Sequence, residues 1–431
     1  MKTLHLINAW QATGGGGIST FYRSLMDHAR SNGAEMVVVG PGATDDCTVD
    51  GSTKVYSVKS PVTYLNSSYR MVLPNRWPGV NRRVHEILCE EKPDLIDICD
   101  KYSLHYIAGL VRKGWLQGVR RPVLVGTSCE RMDENMAYYL STSDLARRFC
   151  RLYLKWNYFG FFDHHITVSH HTADELRQAS RGHVTRRGVW VKPMGVSCDR
   201  FDPQLRTFEW RQASLCRIDA NEGSVLLVYA GRLAPEKNLP LLFDVFETLL
   251  RRNAQDYRLV IAGDGMLRQS LEGMCRRRFT GGSVSFLGQV APPDLAVLLA
   301  NSDAFIHPNP AEPYGIAPLE AMASGLPLVA CNKGGVLSYA NPSNAWLSEA
   351  SPLAMARSVD SVFEVDAVRK EKVQNALAVA RSLDWPKVAA DFRSLYASFV
   401  RGAALPAPAF ESTSGNRLGI EGGLLARSAT P

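Results

Sequence analysis

The sequence predicts an α/β chain of two Rossmann-like, doubly wound halves with a cleft between them. Three observations carry this. Its 431 residues exceed what one ordinary core accommodates. Short apolar runs alternate with amphipathic helical stretches, the pattern of parallel βα units. That pattern lapses near residues 199–222 and then restarts. The predicted division is therefore a first domain over 1–198, a linker over 199–222 and a second domain over 223–384.

In the first half, "LHLIN" (4–8) reads as a strand and "STFYRSLMDHARSNG" (19–33) as an amphipathic helix stopped at Gly33. "EMVVVGPG" (35–42) is a second strand. "RRVHEILCEEKPDLIDICD" (82–100) is a helix, a break at Pro93 and another strand. "PVLVGTS" (122–128) and "HHITVSH" (164–170) are further buried strands. The second half repeats the scheme with strands at 224–231, 257–265, 284–290, 303–309 and 326–331, and helices at 239–253 and 268–278. A last helix spans 385–400. The Gly-, Ala-, Pro- and Ser-rich tail, 402–431, is too poor in apolar residues to pack and is expected to be disordered.

Composition is that of a globular protein, 45% apolar and 21% charged. No apolar run is long enough to span a bilayer, and "MKTLHLINAW" reads as a first strand, not a signal peptide. The nine cysteines show no CxxC pair, which suits free thiols and a cytoplasmic location. The net charge is +7, and the excess falls within residues 1–198. A basic half suits a phospho-ligand, an anionic membrane surface or nucleic acid, or is only a solvated surface.

Open parallel sheets bind ligands beyond the carboxyl ends of their strands, so the loops there matter most. Four glycines, Gly14 to Gly17, precede the first helix. They permit close backbone approach to an anion, or form a flexible loop; as a dinucleotide fingerprint the run fails, because Ser19 stands at the last position. "AGRLAPEKN" (230–238) puts Arg232 and Lys237 at a strand end. That pair suits a diphosphate, or belongs to a surface loop in which Glu236 offsets Lys237. In "HPNPAEPYGIAPLEAMASG" (307–325), Pro318 marks the first turn of a helix and Gly325 its end. The N–H groups from Gly315 to Leu319 then point a positive helix end at the cleft. Glu312 and Glu320 flank that helix entry, and carboxylates accept hydrogen bonds from vicinal hydroxyls, as on ribose or a sugar.

"GRLAPEKN", "GDGMLRQSLE", "VSFLGQV" and "EPYGIAPLEAMASGLPLVA", in this order and spacing, resemble the retaining family-4 glycosyltransferases (glycosyl transferases group 1) of GT-B fold. The match is specific over about 222–345 and looser in the first half, at the glycine loop, "PDLIDICDKYSLHYIAG", "VSHHTADEL" and "VKPMGVSCDRFDP". The resemblance implies an acceptor-side N-domain, a nucleotide-sugar-binding C-domain and a helix at 385–401 that crosses back to the N-domain. It implies that Arg232 and Lys237 hold the donor diphosphate and that Glu320 holds the ribose. Glu312 would contact the transferred sugar, and Gly315, Ile316, Ala317, Pro318 and Leu319 would line the phosphate and sugar site. Gly16 and Gly17 would approach the diphosphate from the N-domain, and the base would lie near Gly263, Gln289 and Val290.

The implied reaction moves a hexose of mannose, glucose or GlcNAc type from a GDP- or UDP-linked sugar to a saccharide or lipid-linked acceptor, with retention. No further cofactor and no nucleic acid is expected. The chain has no Asp-x-Asp, so a metal clamp is not expected either. One position departs from the family pattern: Cys129 stands where many relatives carry a histidine that touches the transferred sugar. Cys129 would be a weaker partner, with Glu130 or Arg131 sharing the role, or His105 or His170 filling it from elsewhere. An inactive nucleotide-sugar-binding scaffold and an epimerase on the same fold are the alternatives.

Finally, "LARRFCRLYLKWNYFGFF" (145–162) spaces Arg147, Arg151 and Lys155 along one helical stripe and Leu145, Phe149, Leu152, Trp156 and Phe159 along another. The apolar stripe either packs into the domain, the favoured reading, or lies on an anionic membrane as a peripheral anchor on its inner face.

Overall fold

The computed structural model describes residues 1–402 except 11–15, 63–69, 74–77, 140–143, 181–187, 219, 253–254 and 280–281. Expectations for Gly14, Gly15 and the tail beyond Gly402 lie outside the described residues. The first sheet contains β1 (Thr3–Ile7), β2 (Met36–Gly42), β3 (Asp46–Asp50), β4 (Thr53–Lys59), β5 (Leu95–Cys99), β6 (Val123–Ser128), β7 (His164–Thr167) and β8 (Val189–Val191). The second contains β9 (Val225–Ala230), β10 (Tyr257–Ala262), β11 (Val284–Gly288), β12 (Ala304–His307), β13 (Leu328–Cys331) and β14 (Trp346–Ser348). The helices of the first half are α1 (Gly17–Ser31), α2 (Pro78–Glu91), α3 (His105–Arg112), α4 (Met132–Tyr139), α5 (Asp144–Asn157) and α6 (His170–Ser180). Then come α7 (Phe208–Arg217), α8 (Leu239–Arg252), α9 (Arg268–Arg278), α10 (Pro292–Ala300), α11 (Ile316–Ala323), α12 (Pro352–Glu364), α13 (Asp366–Ser382) and α14 (Trp385–Arg401).

The strand orders are β3-β4-β2-β1-β5-β6-β7-β8 and β11-β10-β9-β12-β13-β14. Every pairing between these strands is parallel except the β3–β4 hairpin. Its short, polar, exposed first strand gave the sequence reading no apolar run to find. Strand order reverses between β1 and β5 in one sheet and between β9 and β12 in the other. A parallel sheet opens a crevice at such a point, because helices leave it on opposite faces. The carboxyl ends of these four strands meet across one cleft.

α14 ties the halves together. Trp385, Phe392, Tyr396 and Phe399 are buried along one side of it, and it packs on α1. Burying each such ring removes on the order of 1.5–3 kcal/mol worth of apolar surface from water. At the far end of this contact Asp97, on β5, is fully buried. Its carboxylate accepts from Tyr396 at 3.0 Å, Tyr22 at 3.0 Å and Thr127 at 2.5 Å, and lies 3.1 Å from His5 Nδ1. The entry to α14 is stitched to the segment after β8: Val196 N donates to the Leu383 carbonyl and Trp385 N to the Val196 carbonyl, both at 3.0 Å.

α5 corrects one expectation. Its core face is Cys150 and Leu154, continued by Tyr158 and Phe159. Leu145, Phe149, Leu152 and Trp156 are instead exposed, by 76%, 57%, 55% and 64%. The helix is therefore apolar on two sides, and only one of them reaches the domain.

Candidate active site

The cleft has a volume of about 1040 Å³. Both helix amino ends that the sequence placed there do face it. α11 begins at Gly315, whose φ of +87° suits glycine. Tyr339 Oη donates to the Gly315 carbonyl at 2.5 Å, so the turn is held from behind. Across the cleft α1 begins at Gly16 and Gly17. A Cβ on Gly17 would come within 3.1 Å of Ile316 Cδ1, so the two helix entries nearly touch. The positive amino ends of two helices make the gap between them favourable for an anion.

Two cations reach this place from the loop after β9. Lys237 Nζ donates to both oxygens of Glu312, at 3.0 and 2.8 Å. Arg232 pairs with Glu236 at 2.5 Å and is half exposed to the cleft. Asn309 Nδ2 adds a hydrogen bond to Glu312 Oε2 at 3.1 Å. Burial would raise the Glu312 pKa, but Lys237, His307 and Asn309 outweigh it and bring it down to about 2. Glu320, four residues into α11, has only Arg200 to oppose burial, and its pKa is pushed up to about 7. Two carboxylates eight residues apart are thus held in opposite electrostatic settings.

Gly16, Gly17, Cys129, Arg232, Lys237, Gly263, Gln289, Val290, Glu312, Gly315, Ile316, Ala317, Pro318 and Glu320 all line the cleft. Leu319 does not: its side chain is fully buried in the core beneath α11, because the fourth helical position after the Gly315 N-cap turns inward here. Gly263 has φ +149°, and a Cβ there would overlap the Gly231 carbonyl, so backbone packs on backbone below the Gln289–Val290 turn.

The Cys129 thiol is buried and hydrogen-bonded with Cys99, and burial with that bond raises its pKa well above the ordinary thiol range. It presents a weak donor to the cleft and no thiolate. Beside it, Glu130 and Arg131 also line the cleft. Asn135 donates to Glu130 Oε2 at 2.9 Å, and Arg131 is clamped by Asp133 at 3.0 and 2.8 Å. Below them, Lys101 is buried, donates to the Glu130 carbonyl at 2.6 Å and pairs with Glu175. His105 lies elsewhere, in the core under α3 against Phe161, with Tyr153 Oη 3.0 Å from its Nε2. His170 is exposed at the start of α6 and is not among the cleft residues.

Sequence reading passed over His307, Asn309 and Arg200. His307 closes β12, and Asn309 follows two residues later. Their place inside the stretch that holds both glutamates was the available signal. It also passed over two bonds that carry the loop between domains: Ser169 Oγ donates to the Pro313 carbonyl and Tyr314 Oη to the Met194 carbonyl, each at 2.6 Å.

Comparison with known proteins matches residues 214–378 to the model for glycosyl transferases group 1 and residues 15–200 to that for glycosyltransferase family 4. The chain belongs to the family-4 glycosyltransferases. It is an enzyme of glycosyl transfer. A GDP-mannose-dependent alpha-(1-6)-phosphatidylinositol dimannoside mannosyltransferase of Mycobacterium tuberculosis is 28% identical over 87% of this chain and 91% of its own length. A GDP-mannose-dependent alpha-mannosyltransferase of Corynebacterium glutamicum is 24% identical over 75% of this chain and 71% of its own. Among solved structures, sucrose-phosphate synthase from Thermosynechococcus elongatus superposes with a TM-score of 0.76 at 17% identity, covering 94% of this enzyme and all of that chain. That likeness establishes the GT-B architecture for the glycosyltransferase described here.

Proposed function

We propose that this glycosyltransferase moves a mannosyl group from GDP-mannose to a lipid-linked saccharide, with retention of configuration and without a metal. The observation that carries the reading is the Lys237–Glu312 pair set against the α11 amino end and opposite that of α1. Departure of a nucleoside diphosphate builds negative charge on its outer phosphate. Lys237, Arg232 and the two helix ends would meet that charge in the cleft, and preorganised donors of this kind lower the barrier most. They supply the positive field that an Asp-x-Asp-held metal would give, and the chain has no such motif. Glu312 would accept from hydroxyls of the mannosyl ring, Glu320 from the ribose, and the base would rest by Gly263 and the Gln289–Val290 turn. The acceptor would enter along the N-domain wall at Cys129, Glu130 and Asn135. Retention follows if the acceptor oxygen attacks from the face that the diphosphate leaves, its proton passing to the departing phosphate.

The choice of GDP-mannose rests on the two relatives with that donor, which align over most of this chain. A melting-temperature screen checks it. GDP and GDP-mannose should stabilise the enzyme most, by about 2.7 kcal/mol at a hundredfold excess over Kd. A larger shift with UDP-sugars would replace the donor, and no shift with any nucleotide would overturn the reading.

α5 supports a lipid-linked acceptor. Leu145, Phe149, Leu152 and Trp156 stand exposed beside exposed Arg147 and Arg148, and Lys155 lies 5.4 Å from the Trp156 ring centre. An apolar stripe bordered by cations suits the interface of an anionic leaflet. No helix among the described residues is long and apolar enough to cross a membrane. We propose peripheral attachment at the cytoplasmic face.

A further inference from the structure

His307 is 4% exposed, lines the cleft and makes no hydrogen bond through Nε2. That nitrogen lies 3.7 Å from Glu312 Oε2, just outside bonding distance. Glu312 is meanwhile neutralised by Lys237. With a donor bound, Lys237 has two claimants: the Glu312 carboxylate and the diphosphate. A diphosphate carries more charge and would draw the ammonium away. Glu312 would then be a buried carboxylate with one amide partner, and such a group protonates or swings toward water. Asn309 is neutral and cannot replace the ammonium: its amide is held in place by Ala311 N on Oδ1 at 2.9 Å, with Nδ2 already serving Oε2.

We propose that His307 is the positioning residue that takes over Glu312 when the diphosphate claims Lys237: its Nε2–H closes the gap to Oε2 and keeps the carboxylate aimed at the sugar. The inference rests on the donor site proposed above. The ring is suited to wait in this state. Burial and Lys237 hold its pKa down to about 4, so it is a neutral imidazole that leaves the existing pair undisturbed. Being the last residue of β12, paired in register with Ala330 of β13, it has a rigid base from which a small ring movement suffices. Of the other groups near this carboxylate, Tyr229 on β9 and Tyr339 after β13 are lifted by burial far above neutrality, and Glu236 is paired with Arg232.

The test compares His307→Gln, whose amide reaches as far as Nε2, with His307→Asn, whose amide is too short. GDP release from GDP-mannose, with water as acceptor, would be followed between pH 5.5 and 8.5, and GDP binding would be measured alongside. For Asn the expected result is a kcat lowered at least about tenfold at pH 6 and recovering as pH rises, with the donor KM changed less than about threefold. Gln should keep the wild-type profile. Equal behaviour of wild type, Gln and Asn overturns the inference, as does an equal, pH-independent loss in both variants, which would place His307 on the sugar itself. Failure of GDP to bind the wild-type protein would instead overturn the donor site.

Discussion

Lys237 and Glu312 form a partly shielded pair whose members depend on one another. The Glu312 carboxyl is held near pKa 2, below its unfolded value, so the pair stabilises the fold above about pH 4.5 and ceases to do so as pH falls toward 2. Lys237→Ala removes the counter-ion and leaves a carboxylate in an apolar place. We expect a loss of about 1–3 kcal/mol at pH 7, a smaller loss at pH 4, and donor turnover reduced by 100-fold or more. Melting at both pH values and a GDP-release assay check this. Glu320 has the opposite sign. Its pKa is raised to about 7, so ionising it costs stability progressively as pH climbs from about 4.5 to 7. Glu320→Gln should therefore raise the melting temperature at pH 8, by the equivalent of about 1–2 kcal/mol, and leave it unchanged at pH 4.5. The same variant should bind GDP more weakly, because an amide replaces the ribose acceptor.

At the scale of elements, α5 and α11 show two uses of a helix. α11 is short and mostly apolar; it works through its amino end and Glu320, while Leu319, Ala321, Met322 and Ala323 serve as core. α5 works through its sides. Its buried face, Cys150 and Leu154, fixes it to the N-domain, and its exposed apolar stripe is left for another phase. Replacing Phe149, Leu152 and Trp156 together by glutamate should leave melting within about 1 kcal/mol, since surface positions contribute little to the core. The same change should abolish co-sedimentation with vesicles of anionic phospholipid at low salt. Retained co-sedimentation would move the attachment surface elsewhere.

The whole molecule depends on one crossing helix. α14 carries Tyr396 into the N-domain, where Asp97 gathers donors from β1, α1, β6 and α14 itself. Tyr396→Phe removes one bond and should cost about 1 kcal/mol. Asp97→Ala leaves the remaining polar groups buried without their acceptor and should cost about 3 kcal/mol or more. Chemical denaturation measures both. Because α14 joins the second half to α1 and Asp97 of the first, the Asp97 variant should lose donor turnover beyond what its melting explains.

Much of this enzyme was legible from residue order alone. Alternating apolar runs fixed the parallel sheets, since a two-sided burial period is written locally. Two short stretches, one with Arg232 and Lys237 and one with Glu312 and Glu320, pointed to the cleft, because loop chemistry at strand ends needs particular side chains at close spacing. The tertiary structure alone decided which face of α5 met the domain, since Leu145 and Cys150 are both apolar and only the position of the sheet distinguishes them. It alone turned Leu319 inward and Cys129 toward Cys99. It alone joined Lys237 to a carboxylate 75 residues away with His307 beside it. Distances between residues far apart in the chain depend on how the strands are ordered, and no local pattern encodes that order.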